Sequence, residues 1–423
     1  MMKKLLFFVV LLLVSYSFYS ETEVFNVYVS GQPAVKDTIK VAVVNKLRSL
    51  QGDFIAYDHS IVWNKIQYPE EIMSGSTAEI SIPVQYKNEK GDYKYYRIPL
   101  KVFNSFFESY TPRVLFVSNY PEKIVQPGKL FDYRLTRDKS FRILLHHKND
   151  SSRTMSFILI VTNPTDKAVT LKFTSGLGAS SRFESFTGHV AMGRFIRQRL
   201  TQSGEIVYIK PHDFVVLINQ QVGKGNIISG FMELSGKEKL DVVVEGFVAD
   251  DVGPKGIDRI RPLLNMEPEQ RRVQGYIKNP FISKRVDYNL HNSSQLLLRV
   301  GDEPFLKDHT TGKELRGNYG VWYEYIVTLK NSEEYQYEMK LFFQPAGGLA
   351  NAHIVVDNIL YDVKPADPKS EISYQYVAKF TMEPLEERKV VISTIPEAGS
   401  YYPVNIIIHR RALKYLMEGF HDD

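Results

Sequence analysis

The chain has 423 residues, with 53 Lys and Arg against 48 Asp and Glu, 10 His and no cysteine. Without cysteine there are no disulfides, no thiol catalysis and no lipid attachment through an N-terminal cysteine. A formal net charge of +5 on a chain of this length predicts no nucleic-acid partner. The 26 Tyr and 25 Phe, beside only 2 Trp, favour pleated strands over helices.

The N-terminus predicts a secretory signal peptide over residues 1–20. Two lysines precede an apolar run over 5–14, and a stretch rich in Ser and Tyr follows it. This run is well short of the roughly 20 apolar residues that a transmembrane helix needs. We expect cleavage after Ser17 or Ser20, with an uncleaved anchor as the alternative. The protein is then expected to be secreted, periplasmic or on the cell surface, with no transmembrane segment after cleavage.

Residues 21–106 predict a small N-terminal β domain. Apolar and polar residues alternate over 25–29, 38–44, 78–84 and 93–102. This period of two is typical of strands with one buried face. We therefore predict a strand in each of these four segments.

Residues 112–249 predict a central β-sandwich that contains one short helix. Two strands flank a polar turn at Asn163-Pro164, which has proline at its first central position. Residues 190–200 place their apolar side chains on one face of a helix, with arginines on the others. A similar strand ending in asparagine, followed by a polar turn, recurs at Asn331, and a shared sandwich topology explains this recurrence at least as well as duplication does.

The remaining chain predicts a linker, a second sandwich and a tail. Over 250–279, proline, glycine and charges interrupt the strand pattern, which indicates an exposed linker. Residues 280–410 return to alternating strands, and 411–423 form the tail. The sequence therefore predicts an all-β fold of tandem antiparallel β-sandwiches, immunoglobulin-like in type, with one short helix in the central domain.

Several short motifs of the central region carry a resemblance. They are LFVSNYPEKIVQPG at 115–128, RILLHHKN at 142–149, the turn at Asn163, SGLG at 175–178 and GHVA at 188–191. Through them, residues 112–345 resemble an uncharacterised family of secreted bacterial envelope proteins with tandem β domains. Some members of that family are joined to a stalk domain called copper amine oxidase-like, which this sequence does not show. The resemblance implies an envelope location and supplies no site residue.

Catalytic and metal-binding motifs are absent from the sequence. No H-E-x-x-H, G-x-S-x-G or S-x-x-K pattern occurs. The adjacent His146 and His147 would point to opposite faces of a strand and so would not share one ion. Carboxylates from distant segments leave no local spacing, so an active site built from them stays an open alternative. We expect the chain to fold without metal or cofactor and to show no hydrolase activity.

Two groups of residues are candidates for binding. Seven arginines are candidate contacts to an anionic wall polymer, namely Arg194, Arg197, Arg199, Arg259, Arg261, Arg271 and Arg272. Solvated loop charges are the alternative reading of this group. Five aromatic residues are candidates for stacking on sugar rings, namely Tyr93, Tyr95, Trp322, Tyr323 and Tyr325. Cross-strand packing in the core is the alternative for these rings.

The leading hypothesis for function is a non-enzymatic secreted or cell-envelope β-sandwich protein with a structural, adhesive or polymer-binding role. Its expected partners are cell-wall or extracellular polysaccharide, or envelope proteins. The alternative is a polysaccharide-binding or polysaccharide-active protein that uses aromatic faces and carboxylates from distant segments. A third hypothesis is an assembly factor that works by strand addition.

Overall fold

The computed structural model describes residues 24–51, 53–56, 58–119, 123–136, 138–250, 262, 264, 275–370 and 373–412. The predicted signal peptide, nearly all of the predicted linker and the tail from residue 413 lie outside the described residues. Four candidate arginines also lie outside them, namely Arg259, Arg261, Arg271 and Arg272. Within the described ranges, no helix is both long enough and apolar enough to cross a membrane.

The fold is all-β, with several packed antiparallel sheets and few helices, as the sequence predicts. The N-terminal unit contains helix α1 (Lys36–Leu50) and the strands β1 (Phe25–Ser30), β2 (Ala34–Val35), β3 (Ser60–Ile61), β4 (Glu71–Ile72), β5 (Thr77–Lys87) and β6 (Tyr93–Asn104). The strand order is β1-β6-β5-β3, and β2 pairs separately with β4. Helix α1 covers one face of this sheet, where its Ile39 and Leu47 pack with Ile82 and Leu100.

The strand predicted over 38–44 is wrong, because this segment belongs to α1. Ile39, Val41 and Val43 alternate with other residues, which gives the short window its strand-like pattern. The buried face of the full segment also includes Ala42 and Leu47, so the spacing is three, four and eight residues from Ile39. That spacing is the helical one. The period of two was a local coincidence within a longer helical stripe.

The central unit is a sandwich of two sheets with one helix. It contains α2 (Glu184–Leu200) and the strands β7 (Val114–Ser118), β8 (Lys123–Ile124), β9 (Gly128–Leu135), β10 (Ser140–Asn149), β11 (Met155–Thr162), β12 (Val169–Leu177), β13 (Gly204–Ile209), β14 (Phe214–Val222), β15 (Ile227–Gly236), β16 (Val242–Asp250) and β17 (Gly275–Lys278). One sheet has the order β17-β7-β10-β15-β12-β13, with β8 beside β10, and the facing sheet has the order β14-β11-β16-β9. The helix predicted over 190–200 is present as α2 and begins earlier.

The N-terminal and central units share one sheet. Strand β13 pairs antiparallel with β1, so the central sheet continues through β1, β6, β5 and β3. Among the described residues this continuous sheet has 11 strands. Main-chain hydrogen bonds therefore fix the N-terminal unit to the central sandwich.

Glu205 of β13 lies at this junction, opposite Val29 of β1. Its Oε2 accepts a hydrogen bond from Asn45 Nδ2 of α1 at 2.6 Å. Burial raises the pKa of Glu205 from 4.5 to about 7, against the smaller opposing effects of the Asn45 hydrogen bond and the Arg48 charge. Because the folded protein holds the proton of Glu205 more tightly than the unfolded chain does, this group favours the folded state at acid pH. That contribution to the free energy of unfolding is lost as the pH rises from 4.5 through about 7.

Replacing Glu205 with glutamine, which cannot ionise, should remove this loss. We expect Glu205→Gln to be more stable than the unsubstituted protein by about 2 kcal/mol at pH 8 and equally stable near pH 4. Urea unfolding at pH 4, 6 and 8 measures the difference. Glu79→Gln on the exposed side of β5 is the control, because it removes an exposed carboxylate. Parallel pH profiles for Glu205→Gln and the unsubstituted protein would contradict the prediction.

The C-terminal unit is a second sandwich. Its strands are β18 (Phe281–Asn289), β19 (Gln295–Val300), β20 (Trp322–Lys330), β21 (Tyr337–Pro345), β22 (Ala350–Val356), β23 (Ile359–Ala366), β24 (Gln375–Met382), β25 (Glu387–Thr394) and β26 (Val404–Ala412). The two sheets have the orders β18-β20-β25-β22-β23 and β19-β26-β21-β24. All of these pairs are antiparallel except β18 with β20.

The central and C-terminal units share a hydrophobic core. Leu115 and Phe231 of the central sheet and Phe195 of α2 belong to the same buried cluster as Leu341 and Ile392 of the C-terminal sandwich. Helix α2 therefore packs on two units at once. Because burial of apolar surface is the main stabilising contribution to such a junction, the two sandwiches are held together as one body.

Candidate functional site

One face of the N-terminal sheet is covered and the other is open. On β6, Ile98, Leu100 and Val102 are buried in the core beneath α1. Successive side chains of a strand point to opposite faces. Tyr93 and Tyr95 therefore share the other face, and each is 56% exposed. We call this surface of β1, β6 and β5 the outer aromatic face.

Lysine side chains accompany the rings of the outer aromatic face. Lys87 Nζ lies 5.1 Å from the centre of the Tyr93 ring, and Lys65 Nζ lies 5.4 Å from that of Tyr95. These are cation–π distances. The amines therefore lie over the two rings and give this surface a positive charge.

The same pattern continues toward the other end of β6. Tyr28 of β1 stacks on Phe103 with ring centres 5.4 Å apart, and Lys101 Nζ lies 5.4 Å from the Phe103 ring centre. Arg97 lies between the two aromatic groups, while Glu79 of β5 lies opposite Lys101. At roughly 3.3 Å per strand residue, the rings of β6 extend over about 33 Å. The outer aromatic face is thus an elongated and mainly basic strip.

The other three aromatic candidates lie in the C-terminal sandwich. Tyr323 and Tyr325 are each 3% exposed. The Tyr323 hydroxyl accepts a hydrogen bond from Asn318 Nδ2 at 2.7 Å, and the Tyr325 hydroxyl donates to the Arg299 carbonyl. Trp322 is half-buried against the same core. The rings of Tyr323 and Tyr325 are thus almost wholly buried in the sandwich.

A cleft of about 430 Å³ opens between the edge strands β18 and β19 of this sandwich. Its lining combines aliphatic residues such as Ile282, Leu296 and Leu298 with Tyr323, Tyr325 and the charged residues Lys284, Arg299, Asp302 and Glu303. Sugar hydroxyls need hydrogen-bonding partners when they are buried. The charged residues of the cleft supply such partners. The outer aromatic face carries the more exposed rings, because Tyr93 and Tyr95 are each 56% exposed whereas Tyr323 and Tyr325 are each 3% exposed.

The three described candidate arginines all lie on α2, in different surroundings. Arg194 donates a hydrogen bond to the Leu177 carbonyl at 2.7 Å, and Arg199 Nε lies 3.4 Å from Glu233 Oε2. Arg197 is exposed. Two of the three guanidinium groups are thus engaged inside the central unit, and binding of an anionic polymer by the arginine group stays a prediction.

A cluster of two imidazoles and two carboxylates lies between α2 and the C-terminal sandwich. Glu397 is fully buried and accepts hydrogen bonds from His189 Nδ1 at 2.9 Å and from His353 Nδ1 at 2.7 Å. His189 Nε2 donates to Asp362 Oδ1 at 2.8 Å. The imidazole rings of His189 and His353 stack with centres 4.1 Å apart. We call these four residues the junction cluster.

Charge and hydrogen bonding set the protonation of the junction cluster. Burial by itself lowers the pKa of His189, but the hydrogen bonds and charges of Glu397 and Asp362 outweigh it and raise this pKa above its ordinary value. Burial likewise favours a raised pKa for Glu397, yet the charges and hydrogen bonds of His353 and His189 lower it. The two carboxylates on either side of His189 therefore favour its imidazolium form.

The sequence contains no signal for this cluster. His189 is 208 residues from Glu397 and 173 residues from Asp362, and His353 is 44 residues from Glu397. Spacing rules detect ligands that share one helix or one loop. These residues meet only because α2 packs on the C-terminal sandwich, a contact that spacing along the chain does not reveal.

No protein-family model matches the sequence, and no curated protein matches it. Solved structures with some similarity include the M60 catalytic domain with two CBM51 domains from Clostridium perfringens ZmpB (8% identity, 84% of this chain, 43% of that chain, TM-score 0.16). A second is Lac15 from a marine microbial metagenome (10% identity, 82% of this chain, 74% of that chain, TM-score 0.14). A third is the CBM22-1-CBM22-2 tandem domain of Paenibacillus barcinonensis Xyn10C (8% identity, 68% of this chain, 99% of that chain, TM-score 0.15). The chain thus spans less than half of the Clostridium structure. At TM-scores this low, the similarities carry no argument about function, and the resemblance to secreted envelope proteins stays a prediction.

Proposed function

We propose that this protein is a non-enzymatic, exported β-sandwich protein that binds an anionic polysaccharide along its outer aromatic face. The observation that carries the proposal is the strip of exposed Tyr93, Tyr95 and Tyr28 with half-buried Phe103, in which lysine amines lie over three of the rings. Export rests on the predicted signal peptide over residues 1–20, which supports a secreted, periplasmic or cell-surface location.

The chemistry of the strip fits a sugar polymer that carries acidic groups. Exposed tyrosine rings provide flat apolar surface with a polar edge, which suits the apolar face of a pyranose ring. Lys65, Lys87 and Lys101 are placed to pair with carboxylate or sulfate groups on neighbouring sugars. Because the strip follows one strand for about 33 Å, it fits several sugar units in a row.

A purely structural role is the second candidate. It is favoured by the sheet shared through β1 and β13 and by the core shared between the central and C-terminal sandwiches. Such joints hold the three units at fixed distances, as a spacer requires. The two roles are compatible, since a rigid body also presents the outer aromatic face in a fixed direction.

The test measures binding of the purified chain to a uronic-acid polysaccharide and to a neutral glucan by calorimetry. We expect the acidic polymer to bind more tightly and its affinity to fall as salt is added. The double variant Tyr93→Ala/Tyr95→Ala should lose at least about ten-fold in affinity.

Tyr374 and Tyr376 provide a matched control, because they are 56% and 53% exposed on the C-terminal sandwich. The double variant Tyr374→Ala/Tyr376→Ala should bind the acidic polymer like the unsubstituted chain. Equal binding by both double variants, or no binding of any acidic glycan in a broad panel, would overturn the proposal.

A further inference from the structure

The junction cluster brings three metal-ligating side chains together from three separate elements. His189 comes from α2, His353 from β22 and Asp362 from β23. One ligand atom from each of them lies within 4.8 Å of the others. We propose that these three residues bind a divalent transition-metal ion, and that Glu397 positions the two imidazoles.

The first argument is the orientation of the two rings. Both Nδ1 atoms are held by the two oxygens of one buried carboxylate, Glu397. Metal-binding histidines commonly donate one ring N–H to a carboxylate in this way, which fixes the ring and leaves the other nitrogen to the ion. His189 Nε2 already contacts Asp362 Oδ1 at 2.8 Å, where a metal ion would take the place of the shared proton.

The second argument is the close packing of His353 against α2. A Cβ atom on Gly193 of α2 would lie 2.4 Å from His353 Nε2. Glycine is unfavourable in the interior of a helix, so its occurrence there calls for a packing reason. At this position glycine lets the His353 ring pack directly against α2, and this packing fixes the ring beside that of His189.

The third argument concerns access and the type of ion. The side chains of His189 and Asp362 are 14% and 41% exposed, so an ion reaches the cluster from solvent. Two imidazoles and one carboxylate suit zinc and its neighbours better than calcium or magnesium, which prefer oxygen ligands. Ligand atoms around tetrahedral zinc lie roughly 3.3–3.5 Å apart. The three ligand atoms here lie within 4.8 Å of one another, so a bound ion would draw the three side chains together. Three protein ligands leave a fourth position for water or another ligand.

The experiment uses the full, untagged chain after treatment with a chelator. Calorimetric titration with Zn²⁺ should show one site, and Zn²⁺ should raise the melting temperature while Ca²⁺ and Mg²⁺ leave it unchanged. Asp362→Asn should weaken Zn²⁺ binding at least ten-fold. X-ray absorption at the zinc edge should show imidazole nitrogen in the coordination shell.

Asp166→Asn is the matched control. Asp166 accepts a hydrogen bond from His212 Nε2 at 2.8 Å, the same contact that Asp362 makes with His189. This variant should bind Zn²⁺ like the unsubstituted chain. Melting without metal verifies that both variants fold. Absence of Zn²⁺ binding, a zinc spectrum without imidazole, or equal affinities of Asp362→Asn and the unsubstituted chain would each overturn the proposal, and none of these outcomes bears on binding at the outer aromatic face.

Discussion

Glu233→Gln is expected to lower the free energy of unfolding by about 3 kcal/mol. Arg142 and Glu233 lie on neighbouring strands of the central sheet, and both side chains are 3% exposed. Arg142 Nε and Nη2 donate to Glu233 Oε1 at 2.9 and 2.7 Å. Burial lowers the pKa of Arg142, and the charge and hydrogen bonds of Glu233 oppose that shift. Removal of the carboxylate charge leaves a buried cation with little compensation.

The same guanidinium also links two units of the chain. Arg142 Nη1 donates to the carbonyls of Gly320 at 3.2 Å and Pro280 at 3.4 Å, both in the C-terminal unit. A poorly compensated Arg142 is therefore expected to weaken the shared core as well as the central sheet. We expect hydrogen exchange to speed up near Gly320 in this variant.

An exposed pair supplies the control for Glu233→Gln. Arg134 Nε and Nη2 contact both oxygens of Asp241 at 3.0 and 3.2 Å, and the two side chains are 58% and 39% exposed. Loss of such a surface pair should cost much less than loss of the buried pair, because solvent screens the two charges. Urea unfolding followed by circular dichroism compares Glu233→Gln with Asp241→Asn. Similar losses in the two variants would show that burial does not govern the first pair.

Strand positions were the most predictable part of the fold. The strand predicted over 93–102 is β6 (Tyr93–Asn104), because its alternation reflects one face on a core and one in solvent. The pairing of strands was not predictable in the same way. Strands β11 and β12 flank the Asn163 turn, yet β11 belongs to one sheet of the sandwich and β12 to the other.

The asparagine at the end of the predicted strands has a definite structural role. Asn163 Oδ1 accepts the amide of Thr165 at 3.0 Å, and its Nδ2 donates to the Lys167 carbonyl at 2.7 Å. Asn331 repeats the arrangement: its Oδ1 accepts the amide of Glu333 at 3.0 Å, and its Nδ2 donates to the Tyr335 carbonyl at 2.9 Å. A buried amide that satisfies turn groups in this way explains the sequence similarity of the two segments without any ligand.

The contacts between units could not be predicted from the sequence. Alternation of apolar and polar residues indicates which face of a strand is buried, but it does not indicate which element covers that face. The pairing of β1 with β13 and the packing of α2 on the C-terminal sandwich depend on such partners. For the same reason Tyr93 and Tyr325 follow the same alternating pattern in sequence, although Tyr93 is exposed and Tyr325 is buried.

The junction cluster gives the second large effect, which is expected from Glu397→Gln in protein kept free of metal by a chelator. Glu397 is 0% exposed and accepts one N–H from each of His189 and His353. Glutamine has a single acceptor oxygen, so its amide group would face one of these imidazole N–H groups donor to donor. We expect the free energy of unfolding to fall by about 3 kcal/mol, because a buried charge network loses its central anion.

This effect should appear at α2 in particular, because the network joins that helix to the C-terminal sandwich. Hydrogen exchange in Glu184–Leu200 should speed up in Glu397→Gln more than exchange in β5, which lies far from the junction cluster along the shared sheet. Glu333→Gln is the matched control, since Glu333 accepts from His291 Nδ1 at 2.5 Å at the surface, where His291 is 70% exposed. The free energy of unfolding of Glu333→Gln should fall by less than about 1 kcal/mol. If both variants lost the same stability, or if exchange in α2 were unchanged, the junction cluster would not be what holds α2 on the sandwich, and the shared apolar core alone would account for the joint.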